Sequence, residues 1–412
     1  MKIVFLSICM FLTGLLQAYT QEVQKVVPSD KPVLSWGGFV KAEGIYDSRQ
    51  VVESREGYLL LYPKKVVLDR NGNDINAHGS FNQYAMTARL NAKVTGPDVL
   101  GAKTLAYIEG DFTGASGAEN NSFRLRHAYI KLKWNHASLL AGQYWHPINI
   151  PEMLPSVLAL NTGAPFHPYS RQPQFRFDIA KGKLNAMIAL TAQRDYVNNG
   201  PAGASSAYLR NSIVPNLDGQ LQFVSSKLFA GAGIDYKRLT PRLITDSNYA
   251  TKASVNCFAY TAFIMAKTKF LDIKMQWVYG QGLSDHTVMG GYGISSTDPR
   301  TNEQTYSPLN NLTGWITVQT TGKTWQGSLF AGYTRALGSK ETISGPVFAR
   351  DADIDYVYRL SPMISFTKGK LVLAAECEYT TAAYGKLDTH CKVTGSTPVS
   401  NTRLQFSMGY FY

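Results

Sequence analysis

The stretch YVYRLSPMISFTKGKLVLAAECEY, residues 356–379, decides the fold. Its first half sets Tyr356, Tyr358, Leu360, Pro362, Ile364 and Phe366 against Val357, Arg359, Ser361, Met363, Ser365 and Thr367. Lys368-Gly369-Lys370 makes a tight turn, and the second half sets Leu371, Leu373, Ala375, Cys377 and Tyr379 against Val372, Ala374, Glu376 and Glu378. Successive side chains of a strand point to opposite faces, so each half has one apolar and one polar face. The polar faces carry Arg359, Glu376 and Glu378 in mid-strand, and the apolar faces end in aromatic residues. That combination predicts a hairpin with one face in lipid and the other in water.

The same unit recurs along the chain. Residues 84–94 alternate Tyr84, Met86, Ala88, Leu90, Ala92 and Val94 with Ala85, Thr87, Arg89, Asn91 and Lys93. Residues 270–279 alternate Leu271, Ile273, Met275, Trp277 and Tyr279 with Asp272, Lys274, Gln276 and Val278. Seven short turns stand at 95–98, 135–137, 181–183, 225–227, 267–269, 322–323 and 368–370. Between them run longer polar stretches at about 48–80, 114–121, 146–169, 194–216, 240–254, 282–310, 338–353 and 385–400. Seven turns and eight loops give fifteen connections and therefore sixteen strands, with both termini on the short-turn side. The fold class read from this is all-β: a 16-stranded antiparallel transmembrane β-barrel with short periplasmic turns and long extracellular loops. In lipid an open sheet edge is forbidden, so the strands must close on themselves.

The whole-chain numbers agree. Of 412 residues, 17% are charged, below the roughly 25% of soluble domains. The mean hydropathy of −0.16 is too polar for a bundle of membrane helices, and no apolar run near 18 residues exists beyond the first twenty positions. At the N-terminus, Lys2, an apolar run from Ile3 to Leu16 and small Ala18 form a secretory signal peptide over 1–18. A short segment, 19–34, leads to the barrel over 35–412. Removing Lys2 with the leader lowers the formal charge of +12 by one, leaving a bias toward anions. Of the cysteines that remain, Cys377 and Cys391 could pair across a loop, but Cys377 falls on the apolar face of its strand. No Cys/His spacing resembles a zinc site, so no metal or other cofactor is expected. The last strand sets Leu404, Phe406, Met408, Tyr410 and Tyr412 against Arg403, Gln405 and Ser407, and its closing aromatic resembles the barrel-insertion signal of outer-membrane proteins.

Several short segments carry a family resemblance. Gly37-Gly38-Phe39-Val40-Lys41, Phe123 to Leu132, Leu139 to Trp145 and Val357 to Pro362 resemble the DcaP-like porins, within the wider class of trimeric general porins. The resemblance spans nearly the whole mature chain on short motifs. It implies a homotrimer in the bacterial outer membrane that passes small hydrophilic, often anionic solutes. An N-terminal coiled coil found in some members is not expected, because residues 19–34 show no heptads. In general porins the third loop folds inward, which here makes 146–169 the constriction; its Pro147, Pro151, Pro155, Pro165 and Pro168 would stiffen it.

Selectivity would then rest on charged side chains around the opening. Inward-parity basic residues are Arg89, Lys93, Lys131, Arg176, Lys274 and Arg359. Acidic ones are Glu109, Asp111, Asp178, Asp235, Asp272, Glu376 and Glu378, with Glu152 on the constriction loop. Arg124 and Arg126 pose a conflict. If Ala128, Ile130 and Leu132 face lipid, an unbroken strand sends both arginines there too, at about 2–4 kcal/mol each at the midplane. Either a β-bulge near 123–127 turns them inward, or they sit at the outer rim or a subunit interface. The partners expected are solutes, membrane lipid and two further copies of the chain; no nucleic acid is expected.

An outer-membrane hydrolase would need a catalytic set, and His78, His127, His136, His146, His167, His286 and His390 show no triad spacing, so no catalytic residue is assigned. A surface adhesin or binding protein would use the long loops 48–80 and 282–310, with Tyr58 to Tyr62 as an apolar patch that could equally pack on the rim or on a trimer neighbour. A substrate-specific channel differs from a general porin only in the detail of its loops.

Overall fold

The computed structural model describes residues 31–412, so the expected leader 1–18 and residues 19–30 lie outside the described residues. Sixteen antiparallel strands form the wall. They are β1 (Val33–Asp47), β2 (Ser80–Tyr84 and Arg89–Val99), β3 (Ala102–Asp111) and β4 (Arg124–Lys133). Then come β5 (Ala137–Trp145), β6 (Arg171–Lys181), β7 (Leu184–Thr191) and β8 (Asn216–Val224). The second half is β9 (Leu228–Leu239), β10 (Val255–Lys267), β11 (Leu271–Gln281) and β12 (Gln304–Thr320). It ends with β13 (Trp325–Ser339), β14 (Ile354–Lys368), β15 (Leu371–Leu387) and β16 (Val393–Phe411). Each strand pairs with its sequence neighbours, and β1 closes the barrel on β16 in a ladder from Phe39 opposite Phe411 to Asp47 opposite Arg403.

The faces follow the alternation. On β16 Phe406 and Met408 are 62% and 56% exposed on the outer surface, whereas Arg403 and Gln405 are 0% and 1% exposed within. Outward tyrosines Tyr260, Tyr279, Tyr333, Tyr358 and Tyr379 mark one end of the apolar belt. Trp36, Phe270, Trp325 and Tyr410 mark the other, as aromatic girdles at two interfaces do.

Four details differ from the sequence reading. The first turn is Leu100-Gly101, not 95–98: a type I′ hairpin turn takes positive φ at both positions, which Leu100 (53°) and Gly101 (72°) supply and Pro97 cannot. The alternation of 84–94 is not continuous. β2 breaks at 85–88, where Glu43 faces Tyr84 but Phe39 faces Arg89, so the four residues 85–88 of β2 oppose the three residues 40–42 of β1. This one-residue slip turns Tyr84 and Met86 inward against Ile45 and Tyr58. The loop expected at 385–400 shrinks to 388–392, because β15 and β16 stay paired to Leu387 opposite Val393. The polar composition there belongs to strands that continue beyond the lipid into water. Likewise β12 begins at Gln304, inside the expected loop 282–310, and carries Gly290–Thr297 as a pairing partner above the wall.

The apolar core lies inside the barrel. A hairpin of Val51–Ser54 and Leu59–Pro63 in the first loop folds inward, with Tyr58, Leu60 and Tyr62 buried. It meets Met153, Phe166 and Tyr169 of the 146–170 segment and Trp315 and Phe330 of the wall. The apolar patch at Tyr58 to Tyr62 is therefore a plug element, neither a rim patch nor an adhesive surface.

Candidate pore interior

Lumen-facing side chains hold the two infolded loops by their backbones. From β14, Arg359 Nη1 donates to Ala164 O (3.0 Å) and Nη2 to Leu61 O (3.0 Å), while Nε donates to Thr380 (2.8 Å). Glu378 balances its charge at 3.2 Å. From β16, Arg403 donates to Tyr58 O (3.0 Å) and Gly57 O (2.6 Å) and pairs with Asp47 at 2.7 Å. From β15, Glu376 accepts the backbone N–H groups of Leu158 (2.8 Å) and Ala159 (2.9 Å) and the hydroxyl of Ser361 (2.6 Å). Lys41 reaches Leu158 O (3.3 Å), Ser328 reaches Ser156 O (2.7 Å), and Gln276 reaches Ile148 O (2.9 Å). An ordered loop inside the barrel must find partners for its backbone groups, and these side chains supply them. Close packing supplies the rest: a Cβ added to Gly332 of β13 would stand 2.3 Å from Phe166 Cγ.

The expected pore residues divide into three groups. Arg124, Arg126, Glu109 and Asp111 form one network at the upper ends of β3 and β4. Arg124 Nε lies 2.8 Å from Asp111, and Arg126 lies 2.8 Å from Glu109 and 3.1 Å from Asp111. Arg89 approaches Glu109 at 3.7 Å. The conflict over Arg124 and Arg126 is resolved by a register shift: Glu109 stands opposite His127 and Gly110 opposite Leu125, leaving Arg126 as the extra residue. Leu125 faces out, and both arginines face in.

The second group is engaged in structure. Arg359 anchors both loops. Arg176 is held by Asp178 on its own strand at 2.7 Å, and Lys274 donates to Leu154 O at 2.8 Å. The third group is open. Lys93 and Lys131 form no ion pair among the described residues. Glu152 is exposed at the edge of a 460 Å³ cavity near the short-turn side, lined by Lys183, Asn185, Gln222, Phe229, Met265 and Lys267.

The sequence reading missed other participants. Arg171, at the start of β6, lies 2.8 Å from Asp195 and stacks over Trp145 and Tyr169 at 5.0 and 5.2 Å. Arg403 and Asp47 are as deeply engaged as Arg359. Inward parity alone could have found Arg403. Nothing in the local sequence marks Asp195, which sits in a loop. In the infolded loop, burial pushes the His167 imidazole down to about 3, and the ring packs edge-on to Trp315 at 5.5 Å. Cys257, Cys377 and Cys391 are all unpaired thiols.

A closed sixteen-strand wall, an apolar outer belt and a polar interior crossed by two infolded loops define a transmembrane barrel of the bacterial outer-membrane porin type. Within that class the fold is DcaP-like. The outer membrane channel DcaP of Acinetobacter baumannii superposes with a TM-score of 0.67 at 14% identity, covering 95% of this chain and 100% of that one. The anion-selective porin from Comamonas acidovorans gives 0.56 at 10% identity, covering 93% and 100%. OmpT of Vibrio cholerae gives 0.56 at 10% identity, covering 95% and 100%. No protein-family model and no curated protein matches the sequence.

Proposed function

We propose that the protein is a passive diffusion channel for small hydrophilic solutes, with a preference for anions, working as a homotrimer after removal of residues 1–18. The observation that supports the channel reading is the interior: polar side chains line the wall, and two loops enter it and are hydrogen-bonded in place. In this reading residues 146–169 serve as the constriction. A tethered loop of this kind limits solute size, which is what a sieve requires and an enzyme does not. The anion preference rests on the formal charge of +12, less one for Lys2 in the leader, and on Lys93 and Lys131, neither of which forms an ion pair among the described residues. Acidic Glu109 and Asp111 are each matched by arginine, so they add little negative field to the passage.

Planar-bilayer recording of the purified protein in a salt gradient tests the reading. Discrete conductance steps with a reversal potential of anion sign are expected. Absence of steps refutes the channel, and a cation-sign reversal refutes the selectivity. Hydrolysis of phospholipid or peptide by the same preparation would favour the enzyme instead. Electrophoresis without boiling, with and without cross-linker, reads the trimer, and the mass of the mature chain reads cleavage after Ala18.

A further inference from the structure

One polar cluster inside the barrel holds more acid than its neighbours neutralise. Strands β8 and β9 set Asp218 directly opposite Asp235. His146, the first residue after β5, and His286, from the loop after β11, close over them, and all four side chains are buried. His146 Nε2 lies 3.7 Å from an oxygen of each aspartate. The two imidazole rings meet edge-on with centroids 4.4 Å apart. One donor atom from each of His146, Asp235 and His286 lies within 4.8 Å of the others. Lys237 is engaged mainly by Asp285, at 2.7 and 2.8 Å, and reaches Asp235 only at 3.8 Å. Asp285 is thereby balanced, and Asp218 and Asp235 are not. Both Asp218 carboxylate oxygens, Asp235 Oδ1 and Asn216 Oδ1 are buried without a hydrogen-bond partner. Buried carboxylates of this kind need a counter-charge, a bound metal or a shared proton.

We propose that His146, Asp218, Asp235 and His286 form a binding site for a divalent transition-metal ion of zinc type. A dication cancels the two unbalanced carboxylates, and imidazole nitrogen with carboxylate oxygen is a donor set zinc accepts at about 2.0–2.2 Å. Ligands at that distance from a tetrahedral centre stand about 3.4 Å apart, close to the 3.7 Å separations found. His286 Nδ1 contacts Ser170 Oγ at 3.0 Å, an outer partner that orients the ring; its Nε2, which Lys237 Nζ approaches at 3.4 Å, must exchange that contact for the ion. His146 Nδ1 accepts the Ile148 N–H at 3.3 Å. Ligation through Nε2 puts the ring proton on Nδ1 and opens that long bond, so an ion here shifts the root of the constriction loop. Asn216, which contacts His146 Nε2 at 3.0 Å, yields its place to the ion. Because the site is enclosed, the ion enters while the barrel folds.

The full chain, stripped of metal in denaturant and refolded in detergent with Zn²⁺, tests this. About one zinc per chain should survive gel filtration, and refolding with Co²⁺ should give the intense visible absorption of a tetrahedral centre. Asp218→Asn and, separately, His286→Gln should each lower retained zinc at least about tenfold while the folded, heat-modifiable barrel persists. Zinc should raise the thermal unfolding midpoint of the wild-type chain and not of Asp218→Asn. If the variants fail to fold, the cobalt spectrum of the wild-type chain decides. No retained zinc in the wild-type chain, a cobalt spectrum like that of the hydrated ion, or undiminished zinc in folded Asp218→Asn overturns the site and leaves two carboxylates sharing a proton.

Discussion

Replacing Glu376 with alanine should release the tip of the infolded 146–170 segment without opening the barrel. The Glu376 carboxylate accepts the N–H groups of Leu158 and Ala159 at 2.8 and 2.9 Å. A hydrogen bond to a charged group is worth about 1.5–3 kcal/mol net, so the pair contributes about 3–6 kcal/mol to docking of the tip. The freed N–H groups can turn to water in the lumen, which favours the lower figure. At about 1.4 kcal/mol per tenfold, a loss near 3 kcal/mol raises the undocked fraction about a hundredfold. Movement should stay local, because Ser328 still holds Ser156 O at 2.7 Å and Lys274 still holds Leu154 O at 2.8 Å. Single-channel recording reads this as greater open-channel noise, brief substates and a larger mean conductance. Glu376→Gln, which keeps one acceptor oxygen, should fall between. If Glu376→Ala gives a folded barrel with wild-type conductance and noise, the carboxylate does not hold the loop and the reasoning fails.

Three further outcomes follow from the same interior. Neutralising Lys93 and Lys131 together with glutamine should reduce the anion-to-cation permeability ratio more than Arg176→Gln, because Asp178 already cancels Arg176 at 2.7 Å; equal effects in reversal-potential measurements would refute this. Gly332→Ala should drive the Phe166 ring off the wall at a cost of about 1–3 kcal/mol, raising channel noise, whereas Gly327→Ala, where an added Cβ meets nothing within 4 Å, should not. His167 is held neutral in the docked loop, with its pKa pushed down to about 3 by burial, while a ring released to water titrates near about 6.5. Docking is therefore strongest above about pH 6.5 and weakens as pH falls toward 3, because the released state takes up the proton. His167→Phe should flatten the rise in noise between pH 7 and 4, and an unchanged profile would count against the buried neutral ring.

The wall was legible because its signal is local. A period of two, repeated in Leu271 to Tyr279 and Leu371 to Tyr379, needs no partner to be read, and lipid on one side with water on the other keeps it clean. The signal failed where the period itself breaks. At 85–88 one extra residue reverses the faces, and composition carries no mark of it. At Arg126 the break was legible as an energetic conflict, since an unbroken strand would have put two arginines in lipid. Strand ends were misread at 385–400 because residues paired above the membrane have the composition of loops. The interior was the least legible part. Arg359 and Arg403 have the parity of pore-lining charges, yet they bind carbonyls of residues 57–61 and 164. His146, Asp218, Asp235 and His286 are spread over 141 positions and meet only because β8, β9 and two loops converge.

The infolded loops also constrain the order of assembly. The hairpin of residues 51–63 belongs to the first loop of the chain, yet the arginines that grip it lie on β14 and β16. The bond from Arg403 to Tyr58 O spans 345 positions, and those from Arg359 to Leu61 O span 298. Contacts so distant in sequence form late. Until the last hairpin is in place, the early loop lacks its bonds to Arg403 and the 146–170 segment lacks those to Glu376. The final strand therefore does two things when it joins β1: it removes the open edges and it supplies the last grip on the plug. A chain truncated before β16 would lose closure and the grip of Arg403 on the early loop together.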